Sequence, residues 1–245
     1  MNRRSSKKMK QRRAVFMLNI VVGIGILLSV YGIFSSQTAT YQTTPLGQSA
    51  VTAEGETVNS PEMSHGYKIV IDPGHGGKDP GAEGISGKWE HEYTLALSVK
   101  VFDLLRQDPE YEPYMTRTDN TFIELEDRAQ MANDLDADAF ISIHGNTYSD
   151  PAISGTESYY YADESFPLAR DVHEELVKTT GFRDRGVKQE DWMVLTKCDV
   201  PAILLEVGFL TNPGDEETLL NDARQNEIAK AIVSGIKNYF GDSQI

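Results

Sequence analysis

The sequence predicts an α/β fold: an open twisted sheet of about six strands with helices on both faces, preceded by an N-terminal transmembrane helix and a flexible linker. Three observations lead there. Short β-branched runs alternate with helical apolar stripes across residues 67–240. A 21-residue block at 14–34 is apolar except for Asn19 and Ser29. Between the two, residues 35–66 are rich in Ser, Thr, Gln, Gly and Pro and show no apolar periodicity. A chain of 245 residues suits one domain with an appendage.

The segments follow in order. Residues 1–13 hold seven basic side chains, from Arg3 to Arg13, and no acid. As a helix, residues 14–34 would span about 31 Å, enough for the bilayer hydrocarbon. The basic cluster favours the cytoplasmic side, so the chain is expected to leave the membrane outward as an uncleaved anchor. A cleaved signal peptide with a secreted body is the alternative, and both readings put the body outside the cytoplasm. Residues 35–66 read as a tether with a reach of about 30 Å.

In the body, residues 68–71 form a β-branched run stopped by Asp72-Pro73-Gly74. Residues 90–105 carry Leu97, Val101, Leu104 and Leu105 on one helical stripe that ends before Pro109. A strand is expected at 111–116, a helix with acids in its first turn at 125–135, and strands at 139–143 and 156–161. A helix at 166–180 stops at Gly181, an apolar buried strand covers 202–207, and a closing helix covers 225–239, with a tail at 241–245.

Charge and cysteine content exclude several functions. Without the seven N-terminal bases the chain holds 16 basic and 37 acidic side chains, so the body repels a phosphate backbone and no nucleic-acid partner is expected. Cys198 is the only cysteine, which excludes an internal disulfide and a cysteine-cluster metal site. The run Gly74-His75-Gly76-Gly77-Lys78 lacks the spacing of a P-loop, and neither G-x-S-x-G nor H-E-x-x-H occurs.

Three predicted strands end in metal-type residues: His75, His144 and Glu206. Ligands of open α/β sheets gather at the carboxyl ends of strands, so these three are candidates to converge. Two imidazoles and a carboxylate are the donors of a catalytic zinc that keeps one position for water. Singly, each has an ordinary explanation: His75 capping a helix, His144 satisfied in the core, Glu206 paired with a buried arginine.

Seven segments then match a known family in order. They are residues 71–77 (IDPGHGG), 89–92 (WEHE), 116–119 (TRTD), 125–133 (LEDRAQMAN), 142–146 (SIHGN), 185–189 (RGVKQ) and 205–212 (LEVGFLTN). With these, the chain resembles the zinc-dependent N-acetylmuramoyl-L-alanine amidases, the Amidase_3 type of cell-wall hydrolase, over residues 67–240. The resemblance implies one Zn²⁺ per domain held by His75, Glu90 and His144, with Glu206 as catalytic acid/base. It replaces the reading of Glu206 as a ligand. Glu92 is the alternative to Glu90, and the resemblance selects Glu90, because the family's ligand lies five residues before a leucine, here Leu95.

The implied reaction is hydrolysis of the amide between the lactyl group of N-acetylmuramic acid and L-alanine in peptidoglycan, as in an autolysin. A non-catalytic wall-binding sensor on the same fold is the runner-up, and a zinc hydrolase of another wall bond is a further rival. Arg117, Asn146 and Gln189 are candidate substrate contacts, Asp72 a candidate imidazole partner or turn cap, and Arg128 a structural ion-pair residue. Gly145 stands where the family often has alanine, a difference expected to leave His144 undisturbed. No self-blocking helix is expected between His144 and Glu206, so control would fall to expression, localisation or an activator protein. The expected partners are peptidoglycan and, through the N-terminal helix, the membrane.

Overall fold

Alternating side chains explain how one sheet is covered twice. In β1 (Tyr67–Pro73), Ile69 and Ile71 face one apolar layer while Val70 faces the other. The same alternation runs through β3 (Ala139–Asn146) and β6 (Ala202–Phe209), so these strands are buried on both faces and read as continuous apolar runs. The structure, a computed structural model, describes residues 66–242. The basic start, the apolar block at 14–34 and the linker up to residue 65 lie outside the described residues. Among the described residues, no helix is long and apolar enough to cross a membrane.

The remaining strands are β2 (Tyr111–Met115), β4 (Thr156–Tyr160) and β5 (Asp184–Gln189), and the order across the sheet is β2-β1-β3-β6-β4-β5. β2, β1, β3 and β6 run parallel, whereas β4 is antiparallel to β6 and β5 follows β4 in parallel. The sheet is therefore mixed. The chain passes from β1 out to β2 and returns to the other side of β1 as β3, which makes the carboxyl end of β1 a switch point.

Helices α1 (Glu90–Leu105), α3 (Phe166–Thr180) and α6 (Asp222–Asp242) pack on the Ile69 face. The Val70 face is covered by α2 (Leu125–Asp134) and the four-residue α4 (Met193–Thr196). Each aliphatic side chain removed from water here contributes about 1.5–3 kcal/mol. The thinner cover of the Val70 face leaves a cleft at its carboxyl edge.

Besides the 3-10 turn Asp163–Ser165, three elements escaped the sequence reading. β5 is a partly exposed edge strand of polar residues, with no apolar alternation to reveal it. α4 is a single turn, and it adds an element between His144 and Glu206. α5 (Pro213–Leu220) does carry a start signal: Asn212 Oδ1 caps the amides of Gly214 and Asp215, with Pro213 opening the helix. The closing helix begins at Asp222, three residues before the expected start.

Candidate metal centre

The turn after β1 presents the first imidazole. His75 has φ 61°, a left-handed conformation rare outside glycine, and Gly76 and Gly77 follow with positive φ. Such strain, of order 1–3 kcal/mol, persists only when the surroundings impose it. Two buried guanidiniums impose it here. Arg117 donates to the carbonyls of Pro73, Gly74 and His91, and Arg128 to those of Pro73 and His75.

Glu90 is the first residue of α1, where the helix dipole favours a carboxylate. Its Oε2 accepts from the Ala82 amide at 2.9 Å, and its Oε1 from the Gly145 amide at 3.1 Å. The same Oε1 lies 3.1 Å from His75 Nε2 and 3.0 Å from His144 Nδ1. His144 comes from the end of β3, with its ring lying against Gly74, where a Cβ would collide with the imidazole. Gly81 has φ +72°, and a Cβ there would stand 2.6 Å from Glu90 Oε2. Bare backbone at both positions makes room for the site.

One ligating atom from each of His75, Glu90 and His144 lies within 4.8 Å of the others. Burial alone would push the Glu90 carboxyl up, but hydrogen bonds to His144 and His75 outweigh it and hold Glu90 ionised. Burial opposes charge on His75, while Glu90 and Asp79 raise its pKa. Two part-exposed imidazoles and an ionised carboxylate facing one point fit a zinc ion with an open position. Glu92 is exposed and His91 turns to the Pro80 carbonyl, so the structure favours Glu90 as the third donor.

Asp79, which the sequence reading missed, lies 2.8 Å from His75 Nδ1 and accepts from the Gly81 amide. That contact turns Nε2 toward the centre. Asp72, the candidate imidazole partner, touches no imidazole. It is buried in an ion pair with Arg128 at 2.8 Å and accepts from Thr116 and Ser142 hydroxyls. The reason is the register: Asp72 Cα pairs with Ser142, on the same face as His144 but two residues short of it along the strand.

Glu206 stands beside His144 in the β3–β6 register, on the same face. The residue is partly exposed, yet its Oε2 is closed to solvent and has no hydrogen-bond partner. Burial, then the charges of Glu90 and Glu157, push its pKa well above the ordinary value. Beneath lies Tyr93, whose hydroxyl is also buried without a partner. His75, Glu90, His144 and Glu206 share a cleft of about 670 Å³, walled on one side by Leu125, Met193 and Leu204.

The three candidate substrate contacts fare differently. Arg117 is 3% exposed and spends its donors on backbone carbonyls and Thr94, so it holds the His75 turn. Gln189 lies on the edge strand and donates to the Tyr161 carbonyl, away from the cleft. Asn146 does line the cleft, with its amide donating to Glu157 at 3.1 Å. A hydrogen-bonded line Ser158–His173–Asp184 is no nucleophilic triad, since Ser158 is fully buried beneath α3.

Residues 69–238 match the Amidase_3 family, described as N-acetylmuramoyl-L-alanine amidase. The chain is 40% identical over 200 residues to YqiI of Bacillus subtilis (strain 168), described as uncharacterized, covering 80% of this chain and 90% of that protein. It is 34% identical over 177 residues to the probable cell wall amidase LytH of Staphylococcus epidermidis, covering 71% of this chain and 59% of that one. Among solved structures it resembles the catalytic domain of CwlV, an N-acetylmuramoyl-L-alanine amidase from Bacillus (Paenibacillus) polymyxa var. colistinus. The TM-score is 0.70 and the identity 41%, over 71% of this chain and 98% of that one.

Proposed function

We propose, from the premise that this chain belongs to the N-acetylmuramoyl-L-alanine amidase family, that it hydrolyses the amide between the lactyl group of N-acetylmuramic acid and L-alanine in peptidoglycan. The observation that carries the reading is the convergence of His75, Glu90 and His144 on one point, with the unpartnered Glu206 oxygen in the same cleft. Zinc bound by these three side chains would polarise the scissile carbonyl and lower the pKa of its water to about 7.

The chain's own residues supply the rest. Asp79 keeps Nδ1 of His75 occupied, so that Nε2 is the ligating atom. The amides of Ala82 and Gly145 fix the Glu90 carboxylate. Glu206 accepts a proton from the attacking water and passes it to the alanine nitrogen as the C–N bond breaks. A raised pKa suits that second step, because the protonated acid must donate to a leaving amine. The apolar wall of Leu125, Met193 and Leu204 suits the two methyl groups that flank the scissile amide.

For its setting, the apolar block 14–34 behind the basic cluster supports a single-pass anchor with the catalytic domain outside the cytoplasm, near the wall it would cut. Protease treatment of intact cells should remove the domain while leaving the cytoplasmic start protected.

The direct test incubates the full chain with purified peptidoglycan, with and without chelator, beside Glu206→Ala. Stem peptides with free L-alanine amino termini, read by mass spectrometry, should appear only for the metal-loaded parent. Release of stem peptides by Glu206→Ala at the parent rate, or cleavage at another bond, would overturn the assignment.

A further inference from the structure

Glu206 has a second carboxylate directly beside it. In the antiparallel β4–β6 pair, Glu157 is the residue opposite Glu206, so the two side chains leave the same face of the sheet. Like charges directly opposite are destabilising, and one would expect a counter-ion shared between them. The structure divides the counter-ions unequally. Glu157 Oε1 takes Arg185 and Lys188, and its Oε2 takes the Tyr159 hydroxyl and the Asn146 amide. Glu206 Oε2 takes none.

The cations are held on the carboxylate opposite Glu206. The Arg185 guanidinium crosses β4 and sits 5.3 Å from the centre of the Phe209 ring on β6. The single Glu157 oxygen, Oε1, that holds both Arg185 and Lys188 belongs to the cross-strand neighbour of Glu206. Were Glu157 neutral, the carboxylate directly across the strand pair from it would be Glu206. An ion-paired Glu206 would be a weaker base, less free to reach the attacking water and less ready to take up its proton.

We infer that Glu157 is a positioning residue for Glu206: by holding Arg185 and Lys188, it keeps them from capturing the carboxylate that moves the proton. This rests on the role of Glu206 proposed above. Glu157 touches no substrate in this scheme. A plain anchoring role for edge strand β5 is the competing explanation, and it predicts a different response to removing the cations.

The test compares kcat, KM and zinc content of the full chain in four forms: parent, Glu206→Ala, Glu157→Gln, and Glu157→Gln/Arg185→Met/Lys188→Met. Glu157→Gln should lose about 10²-fold in kcat, the low end of a general acid/base contribution, with KM and zinc content unchanged. The triple variant should regain at least about tenfold of that loss, because no cation is left to pair with Glu206. A crystal structure of Glu157→Gln should place Arg185 or Lys188 against the Glu206 carboxylate.

A parent-like kcat in Glu157→Gln, or a folded triple variant as slow as the single one, overturns the inference. If Glu157→Gln does not fold, the triple variant against the parent carries the test, and a folded inactive triple variant overturns it. If the parent itself releases no stem peptide, the amidase reading fails separately. The crystal contact then still decides this one, and both cations turned away from Glu206 count against it.

Discussion

Replacing Arg128 by methionine should be among the most damaging single changes in the domain. Arg128 is 2% exposed and its partner Asp72 1%, and they meet at 2.8 Å. Breaking such a pair from one side costs about 3–5 kcal/mol, because the surviving charge stays buried without its counter-charge. Asp72 would keep the Thr116 and Ser142 hydroxyls, which soften the loss. The carbonyls of Ile123 and His75 would lose their guanidinium donor, which adds to it, while that of Pro73 keeps Arg117. At about 2–4 °C per kcal/mol for a domain of this size, the melting temperature should fall by roughly 6–20 °C. Scanning calorimetry of the zinc-loaded full chain measures this directly. Asp72→Asn/Arg128→Met, which removes both charges, should recover a large part of the loss. A drop under about 3 °C in the single variant, smaller than the least this range allows, would refute the reasoning, and so would a double variant no more stable than the single.

Three other outcomes are expected. Asp79→Ala should weaken zinc binding by about 10–100-fold in a chelator competition, as loss of an imidazole partner generally does, and an unchanged affinity would remove Asp79 from the site. Gly81→Ala should abolish zinc binding while the far-ultraviolet spectrum stays native, since its methyl would enter the space of Glu90 Oε2 at a φ of +72° that alanine resists; stoichiometric zinc in this variant would contradict the geometry. In the metal-stripped protein, the raised pKa of Glu206 means that its stabilising contribution is complete below its ordinary value of 4.5 and is lost as pH rises through its folded value. Glu206→Gln should therefore raise the melting temperature of the stripped protein at pH 8 more than at pH 4, and an equal effect at both would show that the carboxyl is not perturbed.

Gly145 shows how a local reading can miss a packing fact. A Cβ at Gly145 would come within 3.0 Å of Leu210 Cδ1 and 3.3 Å of Tyr93 Cε1, contacts separate from the expectation for His144. The methyl would press on the residues under the site, a constraint that chain neighbours do not reveal.

The apolar strands and amphipathic helices were legible in the sequence because their signals are local: continuous apolar runs along 139–143 and 202–207, and a period of 3.6 along 90–105. His75 and His144 were legible as donors because each follows a recognisable strand, and Glu206 because a carboxylate within Ile-Leu-Leu-Glu-Val-Gly-Phe demands a cleft or a partner. Glu90 came only from the resemblance, since nothing local distinguishes it from Glu92. β5 was illegible because a polar edge strand owes its shape to the neighbour it pairs with.

What tertiary structure alone decided is which charges meet. Asp72 and Arg128 are 56 residues apart, and Glu157 faces Glu206 only because β4 runs against β6, which brings the start of β4 to the carboxyl edge of the sheet. Strand direction and helix placement are settled by burial of the whole core, so the pairing of buried charges follows from the fold, whereas the donors themselves are written in the chain.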